Sequence, residues 1–229
     1  MTVKIDLKLQ LAGSGEIDYA LDNIIIGGLT GIDVEAIEKH LDELAEIGVT
    51  RPSAIPLFFR AAADMVSTAD EIQVIGEDTS GEAEFVLLGT ADGMLVGVGS
   101  DHTDRKVEAY SIAVSKQMCP KVMAPEVWKY EDVKDHFGQL IIRSWATEGG
   151  EKRLYQECTA ADFLAPDDAL PQCCDGATTL PAGTLYYGGT GAAIGGVKPA
   201  DRFEYEIEDP VLGRTISHGY DVTPIPFVE

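Results

Sequence analysis

The chain has 229 residues, enough to bury a full hydrophobic core, and its formal net charge is -22 at pH 7. Such an acidic chain repels phosphate backbones and anionic lipids, which argues against nucleic acid or a membrane surface as a partner. The sequence also has no segment near the roughly 20 continuous apolar residues that a membrane span requires.

The first 50 residues are predicted to form a short α/β extension, made of a strand pair and a helix. Residues 1–15 alternate apolar and charged side chains, which indicates a first strand and not a signal peptide, so we expect a cytoplasmic protein. A second apolar run ends at Gly27 and Gly28. Residues 33–47 carry an apolar stripe at helical spacing, which predicts an amphipathic helix. We place the domain boundary near Thr50.

Residues 51–229 are predicted to form the main domain, and their short apolar runs between turn residues are typical of strands. The segments on either side of TEGGEK, at 147–152, predict a β-hairpin. The glycine cluster at 188–196 lacks the lysine of a phosphate-binding loop. Two interpretations remain open: a loop in which backbone amides and Thr190 approach a ligand oxygen, or a plain glycine-rich hairpin.

The stretch from Ser80 to Glu108 holds the densest ionisable chemistry in the chain. Glu82 and Glu84 are two residues apart, so on a strand their carboxylates leave from one face, and a return strand brings Asp101 beside them. Clustered carboxylates are costly unless a cation neutralises them, and oxygen ligands suit Mg²⁺, Mn²⁺ or Ca²⁺. The alternative is an alternating surface strand followed by a polar turn.

Two cations and a histidine follow these acids. If Arg105 and Lys116 point into the same cavity, the site suits a small anionic substrate such as a 2-oxo acid, although both can instead pair with surface acids. His102 is a candidate general base or a partner of a ligand, and simple loop hydrogen bonding is an equal alternative.

The phrases PLFFRAAADMV, GEAEFVLLG, SDHTDRKVE, SKQMCPK, GTLYYGGT and EDPVLGR together resemble the fumarylacetoacetate hydrolase superfamily, and more narrowly its branch DUF2848. The resemblance implies an α+β fold, a roll of mixed β-sheets like the C-terminal domain of that superfamily. It also implies Mg²⁺, Mn²⁺ or Ca²⁺ held by Glu82, Glu84 and Asp101. The substrate-site residues it implies are Arg105, Glu108, Gly189, Thr190 and an active-site lysine at Lys116, with Lys121 as the other candidate.

The chain also departs from the superfamily pattern. Glu108 stands where a neutral glutamine is expected, and His102 where many members have an aromatic or apolar residue. Hydrolases of the superfamily activate water with a His/Glu pair. His40 and Glu43 have a fitting spacing but lie well before the expected position, so the water-activating base is unassigned.

The leading hypothesis is a metal-dependent hydrolase that cleaves a C–C bond in a small 2-oxo acid or 1,3-dicarbonyl, acylpyruvate-like substrate. The metal would stabilise the enolate released on cleavage, with His102, Lys116 and Arg105 as catalytic residues. An isomerase, hydratase or decarboxylase acting on a similar 2-oxo acid is the first alternative, and a non-catalytic metal-stabilised binding protein is the second. By resemblance the protein is expected to be a homodimer.

Overall fold

A computed structural model describes residues 4–35, 37–38, 41–42 and 54–226, and most of them lie in strands and turns. The strands are β1 (Ile5–Leu11), β2 (Gly15–Leu21), β3 (Asn23–Gly28), β4 (Leu57–Ala61), β5 (Val66–Ser67), β6 (Glu71–Ile75), β7 (Thr79–Ser80), β8 (Ala83–Thr90), β9 (Gly93–Asp101), β10 (Thr103–Asp104), β11 (Lys121–Met123), β12 (Glu126–Lys129), β13 (Ile141–Glu148), β14 (Glu151–Thr159), β15 (Thr184–Tyr187), β16 (Arg202–Asp209) and β17 (Arg214–Ile225). Three short α-helices whose two ends both lie in the described residues join them, namely α1 (Arg105–Glu108), α2 (Ile112–Ser115) and α3 (Pro166–Cys173). Short 3-10 helices lie at Ala63–Met65, Tyr130–Asp132, Lys134–Gln139 and Ala160–Asp162. None of the described helices is long and apolar enough to cross a membrane.

The strands form two main sheets of mixed direction. In a ten-stranded sheet the main path runs β2-β1-β12-β9-β8-β15-β3-β4, with β11 and β5 off this path. A five-stranded sheet has the order β14-β13-β16-β17-β6. Parallel pairs join distant segments, since β1 pairs with β12, β3 with β15 and β6 with β17. The predicted α+β roll of mixed sheets is confirmed.

Strand β8 is the centre of the fold because both of its faces are buried. Phe85 and Leu87 join a core that includes apolar residues of the five-stranded sheet. Val86 and Leu88 join a second core whose members come almost entirely from the ten-stranded sheet. That sheet therefore curls around its own core, which accounts for an uninterrupted apolar run in β8 where a half-exposed strand would alternate.

The predicted hairpin around TEGGEK is present, with β13 and β14 paired antiparallel up to Glu148 and Glu151. Within the predicted helix at 33–47, the residues at 34–35, 37–38 and 41–42 are helical. The remainder of that helix, with His40, Glu43 and the predicted boundary near Thr50, lies outside the described residues. Strands β1, β2 and β3, in the predicted extension, are hydrogen-bonded into the ten-stranded sheet. The division of the chain at Thr50 stays a prediction.

Candidate metal and substrate site

The hairpin of β8 and β9 brings together the three carboxylates predicted to hold a metal. Glu84 pairs across the hairpin with Gly99, and Asp101 ends β9 with its backbone N–H donating to the carbonyl of Glu82 at 3.0 Å. One carboxylate oxygen from each of Glu82, Glu84 and Asp101 lies within 4.8 Å of the others. The predicted geometry, an acidic pair on one face joined by the returning strand, is therefore present.

Two buried lysines contact this cluster through Asp101. Lys116 Nζ lies 2.6 Å from Asp101 Oδ2 and 2.8 Å from Glu82 Oε2, so it bridges two of the three carboxylates. Lys121 Nζ lies 2.6 Å from Asp101 Oδ1 and donates to the carbonyl of His102 at 2.7 Å. The side chain of Lys121 is fully buried. The contacts therefore favour Lys116 as the lysine that faces a ligand and Lys121 as a support for Asp101.

Glu84 is the member of the cluster that lacks a cationic partner among the described residues. It is 1% exposed, and the hydrogen bond it accepts comes from the backbone N–H of Gly189 at 2.6 Å. Burial, and then the negative charges of Asp101 and Glu82, raise the pKa of Glu84 well above its usual value. Although burial acts in the same direction on Glu82, Lys116 and Arg105 hold the pKa of that carboxyl below its usual value.

These observations fit a hard divalent cation. The ligand atoms are carboxylate oxygens, which Mg²⁺, Mn²⁺ and Ca²⁺ prefer. Both oxygens of Asp101 are buried and contact lysine nitrogens, yet they accept no well-directed hydrogen bond from a described residue. Each oxygen of Asp101 contacts one ammonium and has a further lone pair, and Glu84 contacts no cationic side chain among the described residues. Both carboxylates can therefore bind a cation, and a cation beside Glu84 would remove the cost of burying its ionised form.

Arg105 lies at the edge of the cluster, at the start of α1. Asp104 caps that helix by accepting from the N–H of Val107 at 2.9 Å. The guanidinium donates from Nε to Ser80 Oγ at 2.7 Å and from Nη1 to Glu82 and Glu108, each at 2.8 Å. The structure therefore brings the predicted substrate residues Arg105 and Glu108 together with the carboxylate cluster.

His102 is buried with both ring nitrogens engaged. Nδ1 shares a hydrogen bond with the hydroxyl of Tyr220 at 2.8 Å, and Nε2 with that of Thr79 at 2.9 Å. Burial, followed by the nearby Lys121 and Arg105, lowers the pKa of His102 to about 3, so the ring is neutral at physiological pH. These contacts disfavour a role of His102 as a general base and favour the alternative that His102 positions neighbouring residues. A catalytic role of His102 therefore stays a prediction.

The predicted Gly-Thr pair lies directly against the cluster. Gly189 has φ 110°, and a Cβ there would lie 2.0 Å from Thr30 Oγ1, so only glycine fits where the N–H reaches Glu84. Thr190 donates its hydroxyl to the carbonyl of Ala83 at 3.0 Å. The hydroxyl of Thr190 thus anchors the loop, while its predicted substrate contact stays a prediction.

Gln156, on β14, is a supporting residue that the sequence did not indicate. Its Nε2 donates to Thr190 Oγ1 at 2.7 Å and to the carbonyl of Gly191 at 2.6 Å. Its Oε1 accepts from the N–H of Ala83 at 3.0 Å and from Ser144 Oγ at 2.8 Å. Gln156 therefore fixes the glycine loop to the strand between Glu82 and Glu84. A lone glutamine in a hairpin strand carries no local signal of such a role.

Comparisons with known proteins identify a family and a fold. A model of the family described as "Protein of unknown function (DUF2848)" matches residues 27–220. A search among curated proteins finds no match to the chain.

Solved structures of similar fold include a protein from Oleispira antarctica described as a fumarylacetoacetate isomerase/hydrolase, with 17% identity over 94% of this chain and 99% of that chain and a TM-score of 0.67. A fumarylacetoacetate hydrolase family protein from yeast is 18% identical over 91% of this chain and 97% of that chain, with a TM-score of 0.63. A 2-keto-3-deoxy-D-arabinonate dehydratase complexed with magnesium and 2,5-dioxopentanoate is 16% identical over 90% of this chain and 74% of that chain, with a TM-score of 0.62. These likenesses establish the fold.

Proposed function

The chain belongs to the DUF2848 family, and from that premise we propose that it is a metal-dependent enzyme that acts on a small 2-oxo acid or 1,3-dicarbonyl compound. Hydrolysis of a C–C bond in an acylpyruvate-like substrate is the leading reaction. The observation that carries the proposal is the buried cluster of Glu82, Glu84 and Asp101, with Lys116 bridging two of its members. A merely structural acidic patch has no need of a buried carboxylate such as Glu84, which contacts no cationic side chain among the described residues.

Glu82, Glu84 and Asp101 would hold Mg²⁺ or Mn²⁺, with Ca²⁺ as a further candidate. When bound, such an ion supplies Lewis-acid chemistry that stabilises negative charge on the substrate's oxygens. Lys116 would bind the substrate carboxylate, since its side chain is only 8% exposed and its ammonium pairs with carboxylates. Gly189 orients Glu84 through its N–H, and Lys121 orients Asp101 through its ammonium.

An isomerase, hydratase or decarboxylase acting on a similar 2-oxo acid is the second candidate. These reactions need the same stabilisation of negative charge but no residue that activates water for hydrolysis. Of the described histidines, His102 has both ring nitrogens engaged, His136 contacts Asp209 and His218 contacts the carbonyl of Ala69. The contacts of His102 favour this second candidate. A non-catalytic, metal-stabilised binding protein is the third.

The remaining parts of the proposal rest on the sequence and on the family resemblance. We expect a homodimer in the cytoplasm, with a small anionic substrate and no nucleic-acid or membrane partner. The strongly acidic composition supports the last expectation, because a net charge of -22 repels anionic polymers and surfaces.

The test is a panel of acylpyruvates and 2-oxo acids, incubated with the protein and Mg²⁺ or Mn²⁺, with products identified by mass. Hydrolysis gives two products whose summed mass exceeds that of the substrate by one water. Decarboxylation loses carbon dioxide, dehydration loses water, and isomerisation leaves the mass unchanged.

The variant Glu84→Gln should lose turnover by at least about 100-fold while remaining folded. The control Glu126→Gln changes an exposed acid on β12 and should retain activity. If the metal-bound protein turns over none of the compounds at any metal concentration, an enzymatic function is contradicted. The remaining candidate would then be the non-catalytic binding protein.

A further inference from the structure

Arg105 and Lys116 differ in which carboxylates neutralise them. Lys116 pairs with Glu82 and Asp101, which both belong to the candidate metal cluster. Arg105 pairs with Glu82 and also with Glu108, which lies outside that cluster. Glu108 is therefore a carboxylate that Arg105 retains when a cation binds the other acids.

This difference gives the site two ends of unlike charge, a metal end at Glu82, Glu84, Asp101 and Lys116 and a second end at Arg105 and Glu108. A divalent cation on Glu82, Glu84 and Asp101 would compete with Lys116 for both of its partners, which leaves that ammonium available to one substrate carboxylate. At the other end the Arg105–Glu108 pair stays close to neutral. The Nε and Nη1 donors of Arg105 are already engaged by Ser80, Glu82 and Glu108.

Glu108 also lies nearer to solvent than the rest of the cluster. Its side chain is 27% exposed, compared with 12% for Glu82 and 8% for Lys116. Its Oε2 accepts from Arg105, while Oε1 accepts no hydrogen bond from a described residue. A ligand that extends from the cluster towards solvent on the Arg105 side would thus meet a negatively charged hydrogen-bond acceptor.

We propose that Glu108 is a specificity-determining residue that selects 2-oxo acids with a hydroxyl group at the distal end over 2-oxo acids with a second carboxylate. A hydroxyl can donate to the free Oε1, whereas an ionised carboxylate has no hydrogen to donate and places a second acceptor against that oxygen. The substrate class is then a hydroxylated, monoanionic 2-oxo acid. This inference rests on the proposed function, because it takes the 2-oxo acid group to bind at the metal end.

The test compares three probes by calorimetry on the Mn²⁺-loaded protein. Oxalate reports the metal end alone. The other two are 2-oxoglutarate and 5-hydroxy-2-oxopentanoate, which have equal chain length and differ in a terminal carboxylate or hydroxyl. Wild-type protein should bind the hydroxy acid at least about tenfold more tightly than 2-oxoglutarate. Glu108→Gln should reduce that ratio at least about tenfold and leave the oxalate Kd unchanged within about threefold.

The control Glu131→Gln removes an acid from another pair at i,i+3 spacing, with Lys134, and should leave all three Kd values unchanged. Failure of wild-type protein to bind oxalate would overturn the proposed function and this inference with it. Oxalate binding with equal affinity for the two longer probes would overturn this inference alone, and so would a ratio that Glu108→Gln does not change.

Discussion

At the scale of single residues, the site depends on which cationic or hydrogen-bond-donating groups contact each carboxylate. Glu82 and Asp101 contact cationic side chains, whereas Glu84 receives only a backbone N–H from the described residues. The spacing of Glu82 and Glu84 and the return of Asp101 were predictable, because strand geometry places alternate residues on one face. The difference in cationic contacts between the three carboxylates could not be predicted, because Lys116, Lys121 and Gly189 reach the cluster from other segments.

Glu84→Gln should stabilise the metal-free protein by about 1–3 kcal/mol at neutral pH, because buried Glu84 must either take up a proton or carry a costly charge, whereas glutamine does neither and keeps an oxygen that accepts from Gly189. The same variant should lose most of the rise in Tm that Mn²⁺ produces in the wild type. Melting in EDTA and in Mn²⁺ measures both effects. A lower metal-free Tm together with an intact response to Mn²⁺ would contradict the assignment of Glu84 as a ligand.

The surroundings of His102 could not be predicted from the residues next to it in the sequence. For a histidine beside a candidate ligand the sequence left three roles open, namely a general base, a partner of a ligand and simple loop hydrogen bonding. The structure shows Tyr220 and Thr79 at both ring nitrogens. Tyr220 lies on β17 and Thr79 on β7, so the packing that neutralises His102 is assembled from distant strands. Burial of this kind is a tertiary effect that residue type and spacing do not encode.

At the scale of elements, the β8–β9 hairpin was predictable from two apolar runs around a short turn. For the glycine loop after β15 the sequence left two interpretations open, a loop that approaches a ligand oxygen or a plain hairpin. In the structure the N–H of Gly189 reaches the carboxylate of Glu84. What joins the two elements is Gln156 on β14, which the sequence gives no reason to select.

Gln156→Met should lower the free energy of unfolding by about 2–4 kcal/mol, because it leaves the N–H of Ala83 and the hydroxyl of Ser144, both in buried residues, without their acceptor. Mn²⁺ affinity should fall as well, since Ala83 lies between two ligands. Urea unfolding measures the first effect. The control Gln172→Met alters an exposed glutamine and should change stability by less than about 0.5 kcal/mol. Equal effects of the two variants would contradict this role of Gln156.

At the scale of the whole molecule, the sequence indicates strands and turns but not their order in space. Strand β1 pairs with β12 and β3 with β15, so partners are separated by more than 100 residues. Hydrophobic patterns specify which face of a strand is buried, and they leave the choice of neighbour open. The family resemblance supplied the fold as a whole, and the two-sheet roll agrees with it.

The acidic surface and the site are distinct electrostatic features of this molecule. The chain carries a formal net charge of -22, yet the carboxylate cluster is enclosed by Lys116, Lys121 and Arg105. Surface acids bind divalent ions weakly and in large number, whereas a buried cluster binds one ion tightly. The number of divalent ions that bind tightly per chain therefore distinguishes binding at the buried cluster from binding at surface acids.

The most direct test is titration of the protein with Mn²⁺, with free Mn²⁺ followed by electron paramagnetic resonance at physiological ionic strength. Wild-type protein and the control Glu126→Gln should each bind one ion per chain tightly. Glu84→Gln should bind it at least about 100-fold more weakly. Absence of a tight site in the wild type, or equal binding by wild type and Glu84→Gln, would contradict the proposed metal centre.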